Sequence, residues 1–298
     1  MSGFHGAPRF FRVLNKRFIF FFILILVVLS CTKESPSSVD ESESWMEELF
    51  AYLCSPSING RYSGSEGIMD SCAYICDVIN SGDDSLNVVQ FSHGDIPILQ
   101  NIVFHVNGKC DSTLVFGAHY DAYGYKTRTN LPGADDNVSG VAVLLSLIKR
   151  LQQTGFVPHY CIEICFWDGE EIGRLGSNYY VSSSINQKSL PYLAYFNIDT
   201  VGNGEFYNVS LSYDQTHEDV KDMFVSVAEK LSLSVTPYNP IGFTTDCEPF
   251  LKKHIPFVNL CCDKLPPYLH KSSDDISKIS FAQLNQISGT LYDFIVKL

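Results

Sequence analysis

Short apolar runs alternate with longer amphipathic stretches along most of this chain, and this alternation limits the folds available to it. Six of the runs have the length and the β-branched composition of strands: 86–91, 99–106, 113–118, 159–167, 192–198 and 255–260. Five stretches carry apolar residues at helical spacing: 43–54, 65–80, 139–151, 217–231 and 281–297. Continuously apolar strands that alternate with helices form a mostly parallel sheet, because helices then cover both faces. The pattern predicts one α/β domain over residues 45–298, a three-layer sandwich around a mixed, mostly parallel sheet whose first two strands form an antiparallel edge.

The first thirty residues have the composition of an export signal. They contain four basic residues and no acidic one, and an unbroken apolar run occupies residues 18–29. A helix of that length rises about 18 Å, which is less than the roughly 30 Å hydrocarbon core of a bilayer. A basic start, a short apolar run and then small residues therefore predict a signal peptide over residues 1–30 rather than a spanning helix.

The end of this signal, Val28-Leu29-Ser30-Cys31, resembles the lipobox of bacterial lipoproteins. The resemblance implies that Cys31 becomes the lipidated first residue of the mature chain and anchors it to a bacterial membrane. The following segment, residues 31–44, is rich in Ser, Glu and Asp and has no aromatic side chain, which predicts a solvated acidic tether. We therefore expect an exported domain on the periplasmic or extracellular side. An ordinary cleaved signal and an uncleaved short anchor are the alternatives.

The charge balance excludes one broad class of partner. The formal net charge is −12, whereas nonspecific nucleic-acid binding needs a basic surface that displaces counterions from phosphates. No nucleic-acid partner is therefore expected.

Acidic and histidine side chains gather where the predicted strands end. Ligands in parallel α/β sheets bind beyond the carboxyl ends of the strands, so these positions are where a functional site is expected. Five segments lie there: GAHYD, GADDN, FWDGEE, NID and YLHKSSD. Each alone is weak evidence, since Asp-Asp at a helix start is usually a cap and a lone Glu-Glu is usually a solvated turn. Together they would place repelling carboxylates in one cluster, which predicts a divalent metal site.

Longer motifs surround these segments between residues 117 and 275: GAHYDAYG, PGADDNVSG, FWDGEEIGRLGSNYYV, NIDTVG and YLHKSSDD. Together they resemble the aminopeptidase Y/aminopeptidase S family of co-catalytic zinc exopeptidases, which is related to glutamate carboxypeptidase II and, more distantly, to the glutaminyl cyclases. The resemblance implies the zinc exopeptidase fold, of the phosphorylase/hydrolase-like type, and two zinc ions. One ion would be bound by His119, Asp199 and Asp136, and the other by Glu171, His270 and Asp136, which bridges the two.

The resemblance also implies roles for residues beside these ligands. Glu170 would be the general base while the next residue ligates, a division that is open to neighbouring side chains because they point in different directions. Asp121 lies two positions after His119, on the same side of an extended chain, and would hold the imidazole in the tautomer that ligates. A cis peptide is expected between Asp136 and Asn137.

The implied activity is that of a zinc-dependent aminopeptidase, which removes N-terminal residues from peptides with a free amino terminus by means of metal-activated water. Asp246 resembles the family's Ser-Asp segment near the site, and its role is left open. Five aromatic residues are candidates for the pocket wall, although packing roles fit the pattern equally well: Tyr120, Tyr123, Tyr125, Phe243 and Tyr268.

Two other functions fit parts of the same pattern. A glutaminyl-peptide cyclotransferase would use a single zinc on Asp136, Glu171 and His270, but such enzymes tend to carry Trp before the last His, where this chain has Leu269. A receptor-like binding domain with a dead site is expected to lose ligands, whereas every implied ligand and the implied base are present. The aminopeptidase is therefore the main prediction.

Overall fold

The fold, seen here in a computed structural model, is centred on one eight-stranded mixed sheet. The structure describes residues 38–298 apart from 59, 81, 83, 84, 186–190, 204–208, 214–228, 230–233, 238–244 and 263. The predicted signal peptide, Cys31, Phe243 and nearly all of the helix predicted at 217–231 lie outside the described residues. The strands are β1 Leu86–His93, β2 Ile96–Val106, β3 Cys110–His119, β4 Tyr160–Trp167, β5 Tyr192–Ile198, β6 Val209–Tyr213, β7 Ser234–Pro237 and β8 Phe257–Cys262. Their order in the sheet is β1-β2-β4-β3-β5-β8-β6-β7.

The four central strands are parallel, an antiparallel pairing lies on each side of them, and the edge strand β7 pairs in parallel with β6. β4, β3, β5 and β8 pair in parallel, whereas β1 and β2 form an antiparallel edge and β6 pairs antiparallel with β8. All six predicted strands are present within a few residues of their expected ends, and the predicted α/β class with its antiparallel first edge is confirmed. The sequence did not predict β6 or β7, because VSLSY and SVTP are short and lack the continuous apolar run by which the central strands were recognised.

Helices pack on both faces of the sheet and form two separate cores. Among the described residues the α-helices are α1 Ser38–Leu53, α2 Glu66–Ile79, α3 Ser139–Thr154, α4 Leu175–Tyr180, α5 Cys247–Leu251 and α6 Phe281–Lys297. The larger core joins α1, α2, α3 and α6 to Leu114 and Phe116 of β3, while the smaller one joins α4 and α5 to Val115 of the same strand. Successive strand residues point to opposite faces, so this alternation produces the predicted three layers.

Helix α1 begins at Ser38, five residues before its predicted start, so its first turns lie in the segment predicted to be a tether. The cooperativity of helices accounts for the difference, because extending an existing helix adds one backbone hydrogen bond for each residue that is fixed. The compact unit that contains the sheet runs from Glu43 to Leu298. Within the described part of the chain, no helix is both long and apolar enough to cross a membrane.

Candidate metal centre

The carboxyl ends of the central strands bring the predicted ligands to one edge of the sheet. His119 is the last residue of β3, and it pairs with Trp167 at the end of β4, three residues before Glu170. Gly117 of β3 pairs with Asn197 of β5. The residues two positions later are His119, the last residue of β3, and Asp199, the first residue after β5, so their side chains lie at the same level of the sheet edge. Parallel pairing of the strands thus brings residues from distant parts of the sequence together at their carboxyl ends.

Two groups of ligand-type side chains lie at this edge and share one carboxylate. In the first group, His119 Nε2 lies 3.2 Å from Asp136 Oδ1 and 3.5 Å from Asp199 Oδ1. In the second, His270 Nε2 lies 3.1 Å from Asp136 Oδ2 and 3.4 Å from Glu171 Oε2. Each group brings three potential ligand atoms within 4.8 Å of one another. Asp136 therefore offers one oxygen to each group, and the groups have the membership that the resemblance implies.

The electrostatics of these groups fit a bound divalent cation. Burial disfavours charge on the His119 imidazole, but the carboxylates of Asp199, Asp121 and Asp136 outweigh it and raise its pKa well above the usual value. Burial raises the pKa of Glu171 to about 7, and its Oε1 atom is buried without a hydrogen-bond partner in the described structure. A buried carboxylate oxygen without a partner is costly, and a metal ion would satisfy it. Imidazole nitrogen and carboxylate oxygen are ligands that zinc accepts, so the residues fit zinc.

Asp121 supports two ligand-bearing segments at once. His119 Nδ1 lies 3.1 Å from the Asp121 backbone oxygen and 3.4 Å from its carboxylate, which favours a proton on Nδ1 and leaves Nε2 for a metal. The same carboxylate accepts the backbone N–H groups of Glu170 at 3.1 Å and Glu171 at 3.2 Å. Sequence reasoning predicted the first contact and missed the second, because nothing in the spacing shows that the two segments meet.

Asn137 links the turn before α3 to the end of β5. The expected cis peptide is present between Asp136 and Asn137. The Asn137 side chain donates to the Ile198 backbone oxygen at 2.9 Å and accepts the Thr200 N–H at 3.2 Å, on either side of Asp199. These contacts hold the first ligand group in place independently of the His270 turn.

Asp168 is a buried acid that the sequence analysis did not single out. It accepts hydrogen bonds from Ser63 Oγ at 2.8 Å and from the Gln100 backbone at 3.1 Å. Burial and the neighbouring Asp121 carboxylate raise its pKa to about 8. Asp168 directly follows the last residue of β4 and lies just before Glu170 and Glu171, so these hydrogen bonds hold the chain in place where it leaves the strand toward the site.

Glu170 belongs to neither ligand group found among the described residues. Burial raises its pKa well above the usual value, and the nearby carboxylates of Asp246 and Glu171 add to the effect. Asp246 is itself buried, accepts a hydrogen bond from Ser177 Oγ at 2.5 Å, and has its pKa raised to about 7 by burial. An acid that is close to the ligands but outside their groups has the position expected of a general base.

A cavity of about 400 Å³ lies beside the second ligand group. The β1–β2 turn at 93–96, the loop at 123–127 and the segment 171–175 contribute its walls. The ring of Tyr123 stacks on His270, with centroids 4.3 Å apart and planes 6° apart. The Arg128 guanidinium lies over the ring of Tyr125 at 5.2 Å, within the same loop. The cavity wall and a candidate metal ligand are thus in direct contact.

The aromatic candidates divide between wall and packing. Tyr123 and Tyr125 line the cavity, whereas Tyr120 is buried and donates to the Gln100 backbone. Tyr268 is also buried, and its hydroxyl donates to Asp135 Oδ2 at 2.7 Å.

Known proteins with similar sequences include leucine aminopeptidases and probable glutamate carboxypeptidases. A probable leucine aminopeptidase of Arthroderma otae is 24% identical over 260 residues, which cover 80% of this chain and 68% of that protein. The probable glutamate carboxypeptidase LAMP1 of Arabidopsis thaliana is 30% identical over 137 residues, which cover 44% of this chain and 19% of that protein. This chain therefore spans only a small part of the length of some of the curated relatives that it matches.

Solved structures with the same fold include both peptidases and cyclases. LapB from Legionella pneumophila has a TM-score of 0.72 at 18% identity, covering 89% of this chain and 72% of its own. A glutaminyl cyclase from an Acidobacteriales bacterium has a TM-score of 0.72 at 21% identity, covering 89% and 96%. A Zn-dependent exopeptidase from Parabacteroides distasonis has a TM-score of 0.68 at 18% identity, covering 84% and 97%. These likenesses confirm the predicted zinc exopeptidase fold.

The family model that matches this chain is that of Peptidase family M28, and the match runs over residues 101–295. That range includes every residue of both ligand groups and the implied base. The resemblance predicted from the five motifs is confirmed, and the chain belongs to Peptidase family M28.

Proposed function

We propose that this chain is a zinc-dependent aminopeptidase. The observation that carries the proposal is the pair of ligand groups that share Asp136, with Glu170 beside them and outside both. Family M28 membership and the aminopeptidases among the similar proteins support the same reaction class. The proposal goes beyond the family in naming two ions, a base and a substrate.

Two zinc ions would be held by the two groups, one on His119, Asp136 and Asp199, the other on Asp136, Glu171 and His270. Zinc supplies Lewis acidity, which lowers the pKa of water to about 7 and polarises a scissile carbonyl. The Asp121 carbonyl and carboxylate keep the His119 imidazole in the tautomer whose Nε2 atom is free to ligate.

Glu170 would move the proton. Its carboxylate would take a proton from the attacking water and return it to the leaving amine, a role that contributes roughly 10²- to 10⁴-fold in rate. Burial raises its pKa and therefore strengthens it as a base. The Asp121 carboxylate accepts the Glu170 backbone N–H and so fixes the base relative to the ligands.

The substrate would be a peptide with a free amino terminus. The cavity beside Glu171 supports a peptide substrate, because about 400 Å³ lies within the range of small-molecule sites. Two tyrosines, two isoleucines and a leucine line it together with a few polar groups. This mixture suits an apolar side chain adjoining the scissile bond.

The test is to measure hydrolysis of leucyl-anilide by zinc-loaded protein, with Glu170→Gln as the variant and Glu248→Gln as the matched control. Glu248 ion-pairs with Arg174 and Lys252 outside the ligand groups, so the same chemical change there is expected to leave activity intact. Glu170→Gln is expected to lower kcat by about 10²- to 10⁴-fold without changing the zinc content. Activity retained in Glu170→Gln would refute the assignment of the base.

Glutaminyl-peptide cyclisation is the second candidate, and the cyclase structures with the same fold favour keeping it. Cyclisation of a glutaminyl peptide is measured in the same preparation. We expect anilide hydrolysis without cyclisation, and the reverse result would establish the cyclase. Protein purified without chelators that contains no zinc would instead support a receptor-like binding domain.

We further propose that the chain is exported and anchored by lipid on Cys31, with the M28 domain in the periplasm or outside the cell. The support is the basic, then apolar, residues 1–30 and the Val28-Leu29-Ser30-Cys31 box. Radioactive fatty acid should label the wild-type chain but not Cys31→Ser. An unlabelled wild-type chain would contradict the anchor.

A further inference from the structure

The turn that carries His270 contacts the segment that carries Asp136 through one buried residue. Three successive backbone N–H groups of that segment donate to Asp274: Ala134 to its backbone oxygen at 3.2 Å, Asp135 to Oδ1 at 2.8 Å and Asp136 to Oδ2 at 3.1 Å. Asp274 is only 1% exposed. Both carboxylate oxygens are therefore used to hold the backbone of the shared ligand.

A second contact joins the same two segments on the other side of His270. The Tyr268 hydroxyl donates to Asp135 Oδ2 at 2.7 Å and accepts from Asn203 Nδ2 at 2.9 Å. His270 lies between these two attachments, with its side chain 38% exposed. Its φ of 56° is one that a residue with a side chain rarely adopts, so the turn must be held from outside.

We propose that Asp274 is a positioning residue that sets the Asp136–Glu171–His270 group and thereby the affinity of its metal ion. The inference rests on the proposed zinc centre. The first group has supports of its own in Asn137 and Asp121, which do not involve the His270 turn. Loss of the Asp274 contacts should therefore weaken metal binding in one group much more than in the other.

Asparagine is the informative substitution at this position. A carboxylate accepts at both oxygens, whereas the side-chain amide of Asn accepts at one and donates at the other. In Asp274→Asn one of the two N–H groups would face another donor, although the side chain keeps almost the same size. Loss of residues that orient metal ligands typically costs 10- to 100-fold in metal affinity, and we expect a change of about that size.

Asp275→Asn is the matched control, because it makes the same chemical change at the next residue. Asp275 is half-buried and accepts from the Ser277 backbone at 2.9 Å, and it belongs to neither ligand group found among the described residues. Tyr268→Phe is a second test variant that removes only the hydroxyl donated to Asp135. It should weaken the same group without introducing a mismatched donor.

The experiment titrates the chelator-stripped full chain with zinc against a competing chelator, and it resolves the number of ions bound and their affinities. Wild type and Asp275→Asn are expected to bind two ions alike, whereas Asp274→Asn should bind one as tightly as wild type and the other about 10- to 100-fold more weakly. Thermal unfolding of the metal-free proteins checks that each variant is folded. If Asp274→Asn does not fold, Tyr268→Phe is titrated with zinc in its place.

Unchanged binding of both ions in folded Asp274→Asn, or equal weakening of both, overturns the positioning role. A wild-type chain that binds one ion still tests it. A single zinc is expected on Asp136, Glu171 and His270, the set that the cyclotransferase alternative would use, so that ion must be weakened. A wild-type chain that binds none contradicts the zinc centre itself, so the two failures are distinguishable.

Discussion

Two helical glycines should respond in opposite directions to the same substitution by alanine. Gly140 stands at the start of α3, where an added Cβ atom would lie 2.3 Å from the Ile198 backbone oxygen and 2.6 Å from Asn137 Oδ1. Gly289 stands in α6, where the nearest atom would be Arg150 Nη2 at 4.0 Å. Both are helical, so the comparison isolates the effect of the surroundings.

The cost at Gly140 follows from the contacts that must give way. The Asn137 side chain would have to leave the Ile198 oxygen and the Thr200 and Gly140 N–H groups, at 2.9, 3.2 and 3.0 Å. Hydrogen bonds contribute about 0.5–1.5 kcal/mol each and overpacking costs about 1–3 kcal/mol. Alanine favours the helix by about 1 kcal/mol relative to glycine, which offsets part of this cost, so we expect a net loss of about 2–6 kcal/mol.

Urea unfolding of the metal-free proteins measures these differences. Gly140→Ala should lower the free energy of unfolding by the stated amount, whereas Gly289→Ala should raise it by about 0.5–1 kcal/mol. Zinc binding to the His119 group should also weaken in Gly140→Ala, because the Asn137 side chain holds the backbone on both sides of Asp199. A Gly140→Ala protein as stable as wild type would refute the reasoning that the close approach of α3 to β5 is rigid.

Three further predictions concern the cavity, the metal and the core. In steady-state kinetics, Tyr123→Ala should raise KM about tenfold for dipeptides with an apolar residue at the scissile bond, which is a loss of about 1.4 kcal/mol in binding. The control Tyr123→Phe keeps the ring and should leave KM unchanged. Zinc at a hundred times its dissociation constant should raise the free energy of unfolding by about 2.7 kcal/mol, because it binds the folded chain. In thermal denaturation a chelator should reverse this gain. An unfolding temperature that zinc does not change would contradict the metal centre. Phe116→Ala should cost about 3–5 kcal/mol, because the ring is fully buried and stacks on Phe196 at 4.4 Å; a loss below about 1 kcal/mol in urea unfolding would mean that the core refills.

The sequence was sufficient to predict where the candidate ligands gather, because strand ends follow a general rule. The choice of Asp136 and Glu171 over their acidic neighbours came from the resemblance to the zinc exopeptidases. Strands recognised by apolar runs fixed where His119, Glu171 and Asp199 would emerge, and parallel pairing brought those ends together. The small deviations in strand bounds did not matter, because the ligands stand after the last apolar residue of each strand.

The residues that hold the ligands were harder to predict. Asp274 and Asp168 act through contacts with segments far away in sequence, and the local pattern around each resembles an ordinary capped turn. The β6 and β7 strands were not predicted for a related reason. Such short strands are stabilised by pairing with their neighbours rather than by their own composition. Local rules therefore predict chemistry at strand ends better than the scaffold between them.

The spread of the ligands along the chain also bears on the order of events in folding. The site draws on β3, β4, β5 and the turn after β8, so its ligands extend from His119 to His270. Contacts between residues so distant in sequence form late, because closing the long loops between them costs entropy before the contacts can stabilise the chain. In refolding, tight zinc capture should therefore lag behind the appearance of secondary structure, and the bound ion becomes a reporter of the completed sheet.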